Sequence, residues 1–138
     1  MGAGTELKSR GGDTEKMTIN LGVIDLGQID LLVQEGFYSN RSDLIRTAIR
    51  NQLTVHAETV KQTVVRRTLA VGLQHYSRSD LERVRAAGQT LRIQALGLVR
   101  IASDVTPKLA LATIESISVL GGLQVSTAVR GALADRIS

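Results

Sequence analysis

The first regular pattern along the chain is a strict alternation of polar and apolar residues at positions 16–21. A period of two predicts a β-strand with one face buried and one face exposed. The polar positions are Lys16, Thr18 and Asn20, and the apolar positions are Met17, Ile19 and Leu21. The next stretch with strand character begins only near residue 67. We therefore expect the strand to pair antiparallel with its equivalent in a second copy of the chain.

Two helical patterns follow this strand. Between about residues 24 and 35, apolar residues recur at helical spacing, and Gly36 is a suitable C-cap. The second helix begins near Asn40, where Asp43 stands three residues later as in a capping box, while Ser39 is a competing N-cap. Its apolar face comprises Leu44, Ile45, Ala48, Ile49 and Leu53. The order strand–helix–helix predicts a dimer in which four helices cover two paired strands.

The C-terminal half contains an internal repeat with a period of 24 residues. The corresponding positions are Leu69, Ile93 and Ile117; Val71, Ala95 and Val119; and Ala86, Ala110 and Ala134. We predict that each unit is strand, glycine turn, strand, cap and short helix. The candidate caps are Ser77 or Ser79, Thr106 followed by Pro107, and Ser126 or Thr127. Such units form stacked, solenoid-like arrays, which we expect to expose apolar strand edges at both ends.

The predicted fold class is α+β. We expect a flexible arm over residues 1–14, an intertwined βαα dimerisation domain over 15–56, a connector over 57–66, and three 24-residue β-β-α-like repeats over 67–138. The repeats are predicted to be an oligomerisation domain that joins chains through its strand edges and produces an assembly larger than a dimer.

The charged residues are unevenly distributed, and the excess of basic residues lies in the C-terminal half of the chain. The net charge is +4, yet residues 1–60 contain six basic and eight acidic residues. Bulk charge would thus assign any nucleic-acid binding to the C-terminal half, and local placement has to decide the question. The only aromatic residues are Phe37, Tyr38 and Tyr76. Their scarcity argues against a tailored small-molecule pocket.

Several kinds of chemistry are not expected from this sequence. It has no cysteine, and its two histidines, His56 and His75, lack metal-ligand spacing. It contains neither a phosphate-binding Gly-rich loop nor a recognisable catalytic triad. We therefore expect no enzymatic activity, metal or cofactor. With no apolar run near ~20 residues and no apolar signal-peptide core, we expect a cytoplasmic protein that does not bind membranes.

The order of KMTINL, a helix, GFYSNRSDLIR and a second helix resembles the ribbon-helix-helix family of the CopG, Arc and MetJ type. The resemblance covers about residues 15–53. Its most specific part is the segment from Gly36 to Ala48, which follows the pattern G-x-Y-S-x-x-S-[DE]-x-I-R-x-A.

The resemblance implies that the two paired strands enter the major groove of double-stranded DNA. Lys16, Thr18 and Asn20 would then contact base edges. The alternative is that they form only the solvated face of the strand. Ser39, Asn40 and Arg41, at the start of the second helix, would contact phosphate through free amides and a mobile cation. The alternative there is ordinary helix capping, and both roles can coexist.

Other basic residues have weaker assignments. We interpret Arg46 and Arg50 as surface or salt-bridge residues. Lys8 and Arg10 in the arm either follow a flanking phosphate or keep the arm soluble. The cluster of Lys61, Arg66 and Arg67 either extends the DNA footprint or forms the solvated outer face of a strand.

The sequence therefore predicts a sequence-specific, double-stranded-DNA-binding transcriptional regulator that acts as a repressor. Three alternatives remain open. The first is an architectural or DNA-segregation protein that binds repeated sites. The second is an antitoxin-type regulator, although its apolar, repetitive tail differs from the disordered tail usual for antitoxins. The third is a repressor whose C-terminal half senses a small molecule.

Overall fold

A computed structural model of the protein describes residues 14–138. The described residues fall into two compact units, Lys16–Thr63 and Val64–Ser138, the second of which also includes Thr14 and Glu15. The predicted N-terminal arm, with Lys8 and Arg10, lies outside the described residues except for Thr14. The mixture of helices and strands confirms the α+β class.

The first unit begins at Lys16, and its residues before α1 have no regular secondary structure in the single chain. Helix α1 spans Val23–Gln34, α2 spans Arg41–Val55 and α3 spans Ala57–Arg67. The end of α1 follows from Gly36, whose positive φ of 85° allows the Phe37 amide to donate to the Leu32 carbonyl at 3.0 Å. The paired strand expected over residues 16–21 requires a second copy and stays a prediction.

Helix α3 occupies the segment predicted as a connector. The basic residues Lys61, Arg66 and Arg67 lie on this helix, so the interpretation of the cluster as the outer face of a strand is wrong. Only His56 separates α2 from α3, and its carbonyl accepts from the Val60 amide at 3.0 Å. Helix α3 extends past Thr63 into the second unit.

The second unit contains a three-stranded parallel sheet in the order β1-β2-β3, with β1 at Ala70–Tyr76, β2 at Leu91–Ile101 and β3 at Ile114–Gln124. A helix follows each strand: α4 at Arg78–Ala86, α5 at Pro107–Thr113 and α6 at Thr127–Ala132. A 3₁₀ turn, Ala134–Arg136, precedes the end of the chain. The core lies between the sheet and its helices; its fully buried members include Leu81, Ala95, Val99, Ala110, Ile114, Ile117, Val129 and Leu133.

The repeat unit is strand–helix, so the predicted β-β-α unit with a glycine turn is wrong. Gly72, Gly97 and Gly121 lie inside continuous strands and pair with one another across the sheet. All three have positive φ, at 109°, 137° and 129°. The pairing of Gly72 with Gly97 also sets a spacing of 25 residues between the first two strands, because Ala70, and not Val71, stands opposite Ala95. The 24-residue spacing holds between β2 and β3.

Side-chain caps fix where the three helices begin. Ser77 caps α4 in a capping box with Asp80, Thr106 caps α5 ahead of Pro107, and Ser126 caps α6. In the two repeats for which the sequence left two candidates, the earlier residue is the cap. Each cap satisfies a backbone amide in the first turn of its helix, which these short helices need because the sheet buries one side of them.

The C-terminal end of the sheet is covered by the chain itself. Ile137 forms a parallel bridge with Ile117, and the Ser138 amide donates to the Ile117 carbonyl at 2.9 Å. The Arg136 guanidinium donates to the carbonyls of Leu111 and Ile114 at 2.9 and 2.8 Å. The expectation of exposed edges at both ends of the array is therefore wrong at Ile117 of β3, where the chain covers the edge.

Candidate nucleic-acid interface

The segment predicted to read DNA bases is exposed along its whole length. Lys16, Thr18 and Asn20 are exposed, and none of them lies in a helix or is buried against the chain. The apolar positions between them are equally uncovered, with Met17 74% exposed. An alternating segment that exposes both faces has its apolar side available for a further element, and its polar side available for a ligand.

The whole first unit lacks a buried core. None of the residues from 14 to 63 is buried in the single chain, and α1, α2 and α3 contain no buried residue. Large apolar side chains are exposed throughout this unit, among them Ile19, Val23, Ile24, Leu31, Phe37 and Leu53. The second unit, by contrast, buries a continuous cluster between sheet and helices. Since burial of apolar surface is the dominant stabilising term in folding, the first unit is incomplete as a single copy.

The start of α2 brings the predicted phosphate-binding residues together. The Asn40 side chain accepts from the Asp43 amide at 2.8 Å, which makes Asn40 the N-cap. The amide and hydroxyl of Ser39 both donate to the Asp43 carboxylate at 3.0 Å. These two hydrogen bonds hold the pKa of Asp43 below its usual value. Ordinary capping is thus present here, and the reciprocal bond of the box comes from Ser39, one residue before the cap.

Helix geometry leaves the amides of Arg41 and Ser42 without an intrahelical acceptor, and they point out of the helix toward its positive end. An anion can bind at such a position. The carboxylate of Asp43 already lies at this end and opposes a second negative charge. Phosphate contact by Ser39, Asn40 and Arg41 stays a prediction.

Arg41 forms an ion pair with Asp30 that the sequence pattern did not predict. Its Nε and Nη2 atoms donate to the two carboxylate oxygens of Asp30 at 2.7 and 2.8 Å, so the pair is bidentate and joins α2 to α1. The hydrogen bonds from Arg41 hold the pKa of Asp30 below its usual value. Arg41 is therefore not the mobile cation expected. Asp30 and Arg41 are eleven residues apart in the chain, and the turn between α1 and α2 brings them together.

The remaining candidates for chemistry lie on different elements of the fold. Arg46 and Arg50 are exposed on α2. His56 lies 3.4 Å from the Gln52 amide nitrogen, while His75 belongs to β1 in the other unit. Within residues 14–138, no cluster of three or more metal-ligating side chains is found. The same residues include no helix long and apolar enough to cross a membrane.

The model of the Ribbon-Helix-Helix transcriptional regulator family matches residues 12–130. The match extends well beyond the forty residues that carry the sequence resemblance and includes most of the strand–helix repeats. Searches of curated proteins and of solved structures found no match.

Proposed function

This chain belongs to the ribbon-helix-helix transcriptional regulator family, and on that premise we propose that it binds double-stranded DNA sequence-specifically as a homodimer and represses transcription. The observation that supports the dimer most directly is the absence of any buried residue between positions 14 and 63. A second copy would pair the two segments at residues 16–21 and cover their apolar faces with α1 and α2 of both chains.

In the proposed complex, the paired strands occupy the major groove, which admits a two-stranded ribbon. The apolar side chains Met17, Ile19 and Leu21 turn toward the helices. Lys16, Thr18 and Asn20, which alternate with them, then face the base edges. Lys16 offers an ammonium donor to guanine, Asn20 a paired donor and acceptor to adenine, and Thr18 a hydroxyl or a methyl group.

The start of α2 is proposed to contact the phosphate backbone and to fix the register of the ribbon. The amides of Arg41 and Ser42 and the hydroxyl of Ser39 are the donors at this end of the helix. Arg41 contributes its charge only in part while Asp30 holds it, because the bidentate pair neutralises it locally. If the Arg41 guanidinium moved from Asp30 to a DNA phosphate, it would exchange one negatively charged acceptor for another.

The test of base reading is Asn20→Ala, with Asn51→Ala as a matched control on the exposed surface of α2. A preferred duplex is first selected from random DNA, and binding is then measured on it and on an unrelated duplex. Asn20→Ala should weaken binding to the preferred duplex by ~1–3 kcal/mol and leave the unrelated duplex nearly unchanged. Equal losses on both duplexes, or an equal effect of Asn51→Ala, would exclude Asn20 from the base-reading residues.

A second candidate function is an architectural or DNA-segregation role, and the strand–helix repeats favour it because they offer a surface for joining chains. Mapping of bound sites across a genome separates the two roles: scattered promoters support a repressor, and clustered repeats support an organiser. The buried core of the second unit disfavours an antitoxin, whose partner-binding tail is usually unstructured. Either DNA-binding role places the protein at the nucleoid, in the cytoplasm.

A further inference from the structure

The two edges of the parallel sheet are treated differently by the chain. At the β3 edge, Ile137 and Ser138 run alongside the strand and occupy backbone groups of Ile117. At the other edge, no described strand pairs with the outer side of β1. A free edge presents a row of backbone donors and acceptors to any strand that can approach it.

Strand β1 also lacks the features that protect a free edge. Its sequence, AVGLQHY, contains no proline and no residue with a permanent charge. Val71 is 62% exposed and Leu73 53% exposed, whereas Leu98, which stands opposite Leu73 on β2, is only 9% exposed. Proteins usually block such edges with lysine, proline or a covering segment. The C-terminal segment covers β3, and the described chain offers no equivalent for β1.

We propose that the outer edge of β1 pairs antiparallel with β1 of a second copy of this chain, across a two-fold axis perpendicular to the sheet. The two three-stranded sheets then form one six-stranded sheet with all helices on one face. A second copy is the proposed partner for two reasons. The β1 edge has no permanent charge, so two copies of it do not repel each other. A two-fold axis also brings each edge opposite its own equivalent. Head-to-tail stacking of β1 on β3 of the next chain would have to displace Ile137 and Ser138 from Ile117.

This inference rests on the proposed function in one respect, because the proposed DNA-binding dimer brings a second copy of β1 nearby. A dimer formed by the first unit carries two β1 strands, so a second pairing event gains from their high effective concentration. Because Ile137 and Ser138 already pair with Ile117 of β3, we expect edge pairing at β1 to stop at a pair of sheets. It does not extend into a fibre of stacked repeats.

Single-cysteine variants test the proposal cleanly, since the natural chain has no cysteine. Leu73→Cys places a thiol at the centre of β1. Leu120→Cys is the matched control, on β3, with a similar exposure of 47% for the natural side chain. DNA-free protein is oxidised and the covalent dimer is quantified on a denaturing gel. We expect roughly tenfold or more dimer from Leu73→Cys than from the control, because pairing raises the local thiol concentration toward the millimolar range.

A second measurement keeps the test independent of thiol geometry. Leu73→Lys places a charge on the edge, and sedimentation of this variant should show a smaller or more weakly associated species than the natural chain. Equal crosslinking at positions 73 and 120, or unchanged association of Leu73→Lys, overturns the proposal. Specific DNA binding that remains sensitive to Asn20→Ala without crosslinking would refute the edge alone. Crosslinking without specific DNA binding would refute the proposed function alone.

Discussion

The row of glycines across the sheet gives the sharpest prediction about stability. Gly97 has a φ of 137°, and a Cβ atom built on it would lie 2.3 Å from the Gly72 carbonyl oxygen. The contact is with backbone, which cannot move aside as a flexible side chain can. We therefore expect Gly97→Ala to destabilise the second unit strongly, even though it adds only one methyl group.

The magnitude has two parts. A non-glycine residue held in this region of φ costs about 1–3 kcal/mol. Relief of the overlap by shifting β1 against β2 costs about 1–3 kcal/mol more, the range for overpacking in a close-packed interior. The sum of roughly 2–6 kcal/mol is a large part of the ~5–15 kcal/mol that stabilises a typical domain. For a unit of this size it corresponds to a fall in melting temperature of roughly 10 °C or more.

Two other glycines in the same unit separate these contributions. Gly72 shares the positive φ, at 109°, but a Cβ there meets no atom within 4 Å, so Gly72→Ala should cost only the strain of about 1–3 kcal/mol. Gly131 lies in α6 with open space around it, and Gly131→Ala should stabilise by about 0.5–1 kcal/mol. Urea unfolding followed by circular dichroism at fixed protein concentration compares the three. Equal losses for Gly97→Ala and Gly72→Ala would refute the steric argument.

Three further predictions concern side chains with defined partners. Asp30→Asn frees Arg41 from its ion pair and removes a negative charge. Binding to an unrelated duplex, measured by fluorescence anisotropy, should therefore strengthen and become more salt-dependent. Unchanged binding would contradict this prediction. Hydrogen bonds from Ser77 lower the pKa of Asp80, so their stabilising contribution is present above about pH 3.8, the usual pKa of this group. It is lost as the pH falls through the lowered pKa, and thermal unfolding of Asp80→Asn should accordingly change less with acid than that of the natural chain. Thr106→Ala removes the side-chain cap of α5 and should lower the free energy of unfolding in urea by about 1 kcal/mol. A decrease below ~0.3 kcal/mol would show that this cap does not stabilise the helix.

Local signals in the sequence predicted α1, α2 and the starts of the helices in the repeats, but not α3. The spacing of apolar residues placed α1 and α2, and side-chain chemistry identified Asn40, Thr106 and Gly36 as residues at helix ends. These features depend on neighbouring residues in the chain, because a cap bonds to an amide three residues away and a helical face repeats every three to four residues. Sequence periodicity reports such short-range relations directly.

Relations between distant residues were harder to predict. A glycine between two apolar stretches is read as a turn, and only the pairing of Gly72 with Gly97 and of Gly97 with Gly121 shows that the requirement is close approach of neighbouring strands. The 25-residue offset of the first repeat and the ion pair between Asp30 and Arg41 likewise depend on tertiary packing. The polar face at residues 16–21 was predictable from alternation, but what it contacts depends on molecules outside the chain.

The two units differ in whether they have a buried core of their own and in which surface they leave exposed. Residues 16–63 contain no fully buried residue as a single copy, so under the proposed dimer their folded state would depend on protein concentration. The second unit has its own core and covers the edge of β3 at Ile117, and among residues 14–138 no strand pairs with the outer edge of β1. Because both open surfaces would meet their own equivalents across two-fold axes, one free chain would leave two self-complementary surfaces exposed at once. If both proposed surfaces pair, pairing at one would raise the effective concentration for the other, and this coupling would disfavour a monomer more strongly than either surface alone.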